Sequence, residues 1–199
     1  MINMAGQGYL KEKGIEYEIG EDDTTYYMKK DGISDKPVKD IEDIQEKKKK
    51  GSKTKIAIGS DHAGLPLKEE IIKYFKEKSI DYIDYGTNSS DSVDYSDYGK
   101  KVAYSVKDGE CEKGIVICGT GIGISIAANK VKGIRAALCT NSYMAKMTRL
   151  HNDSNVLALG QRVIGVGLAL EIVETWLNTK FEGGRHQRRI DKIKEIENE

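Results

Sequence analysis

The chain has 199 residues, room for one ordinary domain plus an appendage. Its 32 basic residues equal its 32 acidic ones, which excludes nucleic-acid binding driven by bulk positive charge, and no nucleic-acid partner is expected. No apolar run approaches the roughly 20 residues that span a bilayer, and Met1 to Leu10 lacks the basic-then-apolar order of a secretory signal, so no membrane partner is expected.

Residues 1 to about 53 read differently from the rest. They hold Gly20-Glu-Asp-Asp23 and the lysine block Lys47 to Lys50, with a weak apolar pattern. Tyr9 to Ile19 suits a short helix and a strand, and Thr24 to Met28 suits a strand entering a turn. Ile41 to Gln45 opens a charged helix that runs into the lysines. This segment has too little apolar surface for its own core. It is expected to be a flexible or loosely docked extension over 1–53, outside an organised domain over 54–199.

The organised part begins with Ile56 to Ser60 as a first strand, followed by Asp61-His62. Leu67, Ile71, Ile72 and Phe75 recur at helical spacing behind Pro66. Asp81 to Tyr85 is the second strand, and Thr87 to Ser96 is a polar loop holding Tyr95. Tyr98, Val102 and Val106 mark a second helix, closed by Asp108-Gly109. Ile115-Val-Ile117 is short enough for a buried parallel strand. It leads through Cys118 and a glycine turn into a helix over Ile124 to Lys130. Arg135 to Cys139 is the fourth strand, Asn141 to His151 a helix, and Val156 to Gly160 the fifth strand. Val163 to Leu177 is a strongly apolar helix, and Ile190 to Glu197 a charged terminal one. Strands alternating with helices specify a three-layer α/β/α sandwich with a five-stranded parallel sheet, Rossmann-like. Right-handed crossovers put every strand C-terminus on one rim, where open α/β sheets bind ligands.

The residues at the strand ends are chemically coherent. Gly119, Thr120, Gly121 and Gly123 bring backbone N–H groups close to a ligand at a helix start, which suits an anion. Asp61, His62, His151, Asn152, Arg162, Arg185, His186 and Arg189 surround that theme with phosphate-binding and proton-transfer groups. Cys111, Cys118 and Cys139 lack CxxC spacing, so a reducing cytoplasm is expected and one of them is available as a working thiol.

Four motifs in order, Ser60-Asp-His-Ala-Gly64, Cys118-Gly-Thr-Gly-Ile-Gly-Ile-Ser125, His151-Asn-Asp153 and Gly183-Gly-Arg-His-Gln187, resemble the type B ribose-5-phosphate isomerases. The likeness runs from about Lys55 to the C-terminus. It implies a cofactor-free, metal-free aldose–ketose isomerisation of a phosphorylated sugar. It implies Cys118 as the base, with the Thr120 hydroxyl and the N–H groups of Gly119, Gly121 and Gly123 near the enediolate oxygen and Ser125 in the same turn. His151 resembles the ring-opening residue. Asp61 and Asn152 would hold sugar hydroxyls, and Tyr95 would line the pocket. His62, Arg162, Arg185 and Arg189 would hold the phosphate, with His186 nearby. The family shares each site between two subunits, so a homodimer or homotetramer is implied.

Blander readings stand beside these. Cys111, in the polar run Asp108 to Glu112, reads as exposed, and Cys139 as packing. His151 alone suits a cation at a helix C-terminus. Two rival functions stay open. One is a hexose-phosphate isomerase of the same superfamily, acting on allose 6-phosphate or galactose 6-phosphate. The other is a non-catalytic nucleotide- or sugar-phosphate-binding relative. Gly119-Thr-Gly-Ile-Gly123 is superficially similar to a dinucleotide fingerprint, but its third glycine comes too early and it sits on the third strand.

Overall fold

The computed structural model describes residues 17–19, 26–28 and 55–199. The chain divides into two units, Met1–Ser52 and Lys53–Glu199. In the first, β1 (Tyr17–Ile19) pairs antiparallel with β2 (Tyr26–Met28). The helix expected within residues 9–19, the one opening at Ile41 and the lysine block lie outside the described residues.

In the second unit the elements run β3 (Lys55–Ser60), α1 (Leu65–Glu77), β4 (Asp81–Asp84), α2 (Tyr95–Lys107), β5 (Lys113–Cys118), α3 (Ile122–Ala128) and β6 (Ala136–Leu138). Then come α4 (Ser142–Asn152), β7 (Val156–Gly160), α5 (Val166–Asn178) and α6 (Arg185–Ile196). The strands form one parallel sheet in the order β4-β3-β5-β7-β6. The doubly wound α/β expectation therefore holds.

Strand alternation sorts the core into two faces. Ile56, Ile58, Ile115, Ile117, Leu157 and Leu159 meet Leu67, Ile71 and Phe75 of α1, Ala145 of α4 and Ile172 and Trp176 of α5. On the other face Ala57, Val116, Cys118 and Ala158 meet Val102 and Ala103 of α2 and Ile124 and Ala128 of α3. Cys118 thus belongs to the α2–α3 face. The edge strand β6 is short because Asn129 occupies its margin. The Asn129 amide donates to the Ala136 carbonyl and accepts from the Ala136 N–H, each at 2.8 Å. That blunts an edge otherwise open to pairing.

Four expectations need correction. Cys111 is buried, at 1% exposure, and packs with Val102 and Val116. Gly109, at φ +76°, reverses the chain after α2, and the Cys111 N–H closes onto the Ser105 carbonyl. Tyr95 opens α2 rather than lying in the loop before it. The apolar helix starts at Val166 because Val163 and Ile164 both donate to the Gly160 carbonyl in a turn. The terminal helix starts at Arg185, five residues early, since Gly183 (φ +71°) and Gly184 (φ +55°) turn the chain directly into it.

Candidate active site

At the C-terminal edge of the sheet, β5 ends on Cys118, which is 4% exposed. The next residues fold into a tight turn. Gly121 takes φ +79° and its N–H donates to the Cys118 Sγ at 3.1 Å. A Cβ on Gly121 would lie 2.5 Å from the Leu138 side chain and 2.9 Å from the Leu159 carbonyl carbon. Only glycine fits both the dihedral and the space. Gly121→Ala is therefore expected to cost about 1–3 kcal/mol and to slow turnover by moving the amide off the sulfur. Denaturant midpoints and steady-state rates check it, and an unchanged pair of values would contradict this account.

Further groups converge on the turn. The Ile122 N–H donates to Thr120 Oγ1 at 3.3 Å, which leaves the Thr120 hydroxyl proton available to a ligand. Ser125, by contrast, spends its hydroxyl on the Ile122 carbonyl at 2.7 Å. The Tyr95 ring lies on Gly123, where a Cβ would come within 2.6 Å of it. The Arg162 N–H donates to the Gly119 carbonyl at 2.9 Å, and its guanidinium carbon lies 3.7 Å from where a Gly119 Cβ would stand. After β3, Asp61 accepts the Gly64 N–H at 2.9 Å. His62 Nδ1 accepts the Val93 N–H at 3.1 Å, so the proton of a neutral ring sits on Nε2.

The loop carrying Val93 is anchored by Lys68, which the sequence reading missed. Its ammonium is 1% exposed and donates to Asp84 at 2.7 Å, the Thr87 carbonyl at 2.8 Å and Asn88 at 3.3 Å. A lysine on the buried side of a helix is the signal that would have found it.

The remaining expected site residues lie at the opposite edge. The helix α4 starts beyond the C-terminal end of β6 and runs back over 11 residues, roughly 16 Å. His151 and Asn152 therefore sit near the N-terminal ends of the strands, with Arg185, His186 and Arg189 beside them on α6. Sequence chemistry pools these residues with Cys118; a single chain separates them.

This second group is tightly built. The His151 and His186 rings stack with centroids 4.2 Å apart and planes 6° from parallel. Glu182, also not singled out from sequence, reaches both rings: its Oε2 lies 3.8 Å from His151 Nε2 and 3.6 Å from His186 Nε2. The Glu182 N–H donates to the Leu150 carbonyl, tying the segment before α6 to α4. Asp153, at φ +44°, ends α4 and accepts from Arg149 at 2.7 Å and Arg135 at 3.2 Å. His186 is 1% exposed, and its Nδ1 has no hydrogen-bond partner among the described residues. Burial, then His151, then Arg185 and Arg189 hold its imidazole below the ordinary histidine value, against a raising pull from Glu182. The other two thiols are chemically quiet. Burial pushes Cys139 up to about 12 and raises Cys111 as well.

Comparison with known proteins covers most of this unit. The family model described as Ribose/Galactose Isomerase matches residues 56–193. A protein of Escherichia coli named ribose-5-phosphate isomerase B is 53% identical over 143 residues, 72% of this chain and 96% of its own length. A Pectobacterium atrosepticum protein named D-erythrulose-4-phosphate isomerase is 43% identical over 139 residues, 69% of this chain and 91% of its own. The solved structure of Clostridium thermocellum ribose-5-phosphate isomerase B is 64% identical and superposes with a TM-score of 0.72, covering 72% of this chain and 97% of that one.

Proposed function

The chain belongs to the ribose/galactose isomerase family, and from that premise we propose that it interconverts ribose 5-phosphate and ribulose 5-phosphate. The observation that carries the reading is the Cys118 turn. One of three thiols lies at a strand end with a backbone N–H on its sulfur and a threonine hydroxyl free to donate beside it.

In this reading the Cys118 thiolate takes the proton from C2 of the open-chain aldose. The electron pair left behind forms the C1–C2 double bond of a cis-enediolate. The same sulfur returns the proton to C1 while the O2 hydroxyl proton passes to O1, which leaves a hydroxyl at C1 and the carbonyl at C2. The developing oxyanion needs preorganised donors, each commonly worth about 3 kcal/mol. The Gly121 N–H is engaged with sulfur and the Ile122 N–H with Thr120. The load therefore falls on the Thr120 hydroxyl and the neighbouring amides of Gly119 and Gly123. Ring opening comes first, and His151 moves the proton between the anomeric hydroxyl and the ring oxygen. His62 donates through Nε2 to the phosphate, with Arg162, Arg185 and Arg189 as its charge partners. The chemistry uses no cofactor and no metal.

Because His151 and the α6 arginines lie at the far edge of their own sheet, they serve the Cys118 of a second copy. We propose a homo-oligomer with shared sites. Exposed apolar residues support it: Ile122 (53%) and Tyr143 (72%) at the starts of α3 and α4, and Val163 (53%) in the turn before α5, lie at the Cys118 edge.

Substrate choice is read by steady-state rates on ribose 5-phosphate, allose 6-phosphate, galactose 6-phosphate and erythrulose 4-phosphate. Ribose 5-phosphate is expected to give the highest kcat/KM by about tenfold or more. A hexose or tetrose phosphate favoured by that margin overturns the pentose assignment and leaves the isomerase chemistry standing.

A further inference from the structure

We infer that His151, Glu182 and His186 form a binding site for a late first-row divalent ion of the Zn2+ type. Their donor atoms lie within 4.8 Å of one another. The Glu182 Oε2 stands 3.8 Å and 3.6 Å from the two Nε2 atoms. In a tetrahedral zinc site with bonds near 2.0–2.1 Å, donors stand about 3.3 Å apart. Closing this triad around an ion takes a contraction of a few tenths of an ångström at Glu182 and a turn of the partly exposed His151 ring out of the stack, because near-parallel rings aim their nitrogen lone pairs along separate planes. Glu182 is more than half exposed and free to make the move, whereas the His186 ring is buried and already oriented.

The donor set suits the ion. Two imidazoles and a carboxylate are the ligands zinc takes when one position stays open to an outside group. Neutral imidazole is the ligating form, so binding is expected to weaken as pH falls. Two features oppose binding. Arg185 Nε donates to His186 Nε2 at 3.3 Å and must release it, and Arg189 adds positive charge nearby. Both arginines leave the ion in a positive field, which a bound anion offsets. The balance predicts a weak, accessible site rather than a structural one.

Occupancy has a consequence that rests on the isomerase reading: the ion takes the Nε2 of His151 and blocks ring opening. The binding itself does not rest on that reading, so it is tested first and separately. Full-length protein is titrated with Zn2+ by calorimetry in a buffer that does not chelate. One equivalent per chain is expected. Glu182→Ala, checked for folding by circular dichroism, is expected to weaken binding tenfold or more, and Cys118→Ser to leave it unchanged. Cobalt(II) in the native chain should show ligand-field bands without thiolate charge transfer. Absence of binding, a loss smaller than tenfold in Glu182→Ala, or a charge-transfer band that disappears in Cys118→Ser overturns the site. In the activity arm, Zn2+ should inhibit turnover of furanose substrate and chelator should restore it. Binding without inhibition refutes the ring-opening role of His151 and leaves the metal site intact.

Discussion

Cys118→Ala is expected to lower kcat on ribose 5-phosphate by about 10²–10⁴-fold, the range that a positioned general base supplies. The variant should fold, because the removed sulfur is small and the turn is held by Gly121, by the Arg162 N–H on Gly119 and by the flanking strands β3 and β7. Its KM should change little, since the phosphate contacts do not involve the thiol. Cys139→Ala is the matched control. Its thiol is equally buried, burial holds it in the neutral form, and its loss should touch stability without touching kcat. The decisive reading uses open-chain substrate, which bypasses ring opening. Isomerisation of that substrate by Cys118→Ala at the parental rate would remove Cys118 from the base role.

The fold was legible because each βα unit announces itself twice, by an apolar strand and by a helical stripe. Ile56 to Ser60, Ile115 to Ile117 and Val156 to Gly160 are buried on both faces and read as near-continuous apolar runs. What escaped was set by tertiary contact. Cys111 sits among Asp, Gly and Glu, and its burial depends on how Gly109 reverses the chain beneath β5. Arg185 and His186 follow two glycines, a usual stop signal, yet those glycines serve as the entry to α6. Lys68 lies among apolar neighbours on α1, and its three acceptors come from β4 and the loop after it.

The candidate residues could be named from sequence, but where the chain places them was not read from it. Chemistry alone grouped Cys118 with His151, although a helix that leaves the C-terminal end of one strand and feeds the N-terminal end of the next must carry its last residues to the other edge. Asn141 to His151 already contained that fact. The stacking of His151 on His186 and the reach of Glu182 to both did not follow from spacing, since α4 and α6 are brought together only by packing.

The proposed shared site makes a sharper prediction than any single substitution. In that arrangement Cys118→Ala alone would lack the base in every site and His151→Ala alone the ring-opening group, so each homo-oligomer is expected to be inactive on furanose substrate. A hybrid pair is different. The chain carrying His151→Ala still supplies Cys118, and the chain carrying Cys118→Ala still supplies His151. If each site draws one residue from each copy, the hybrid holds one complete site and one doubly deficient site. Random exchange between equal amounts of the two proteins makes half of the pairs hybrid, and total activity should return to about a quarter of the parental value. Hybrids isolated on two different affinity tags should reach about half. If both residues instead served a site within one chain, every chain in the hybrid would carry a lesion and no activity would return. The spread of outcomes, from none to half, is far larger than assay error. A silent hybrid would put Cys118 and His151 in one site within a single chain and overturn the shared-site arrangement, whereas an active His151→Ala homo-oligomer would take His151 out of the Cys118 site and leave the stacked histidines with Glu182 in need of a function of their own.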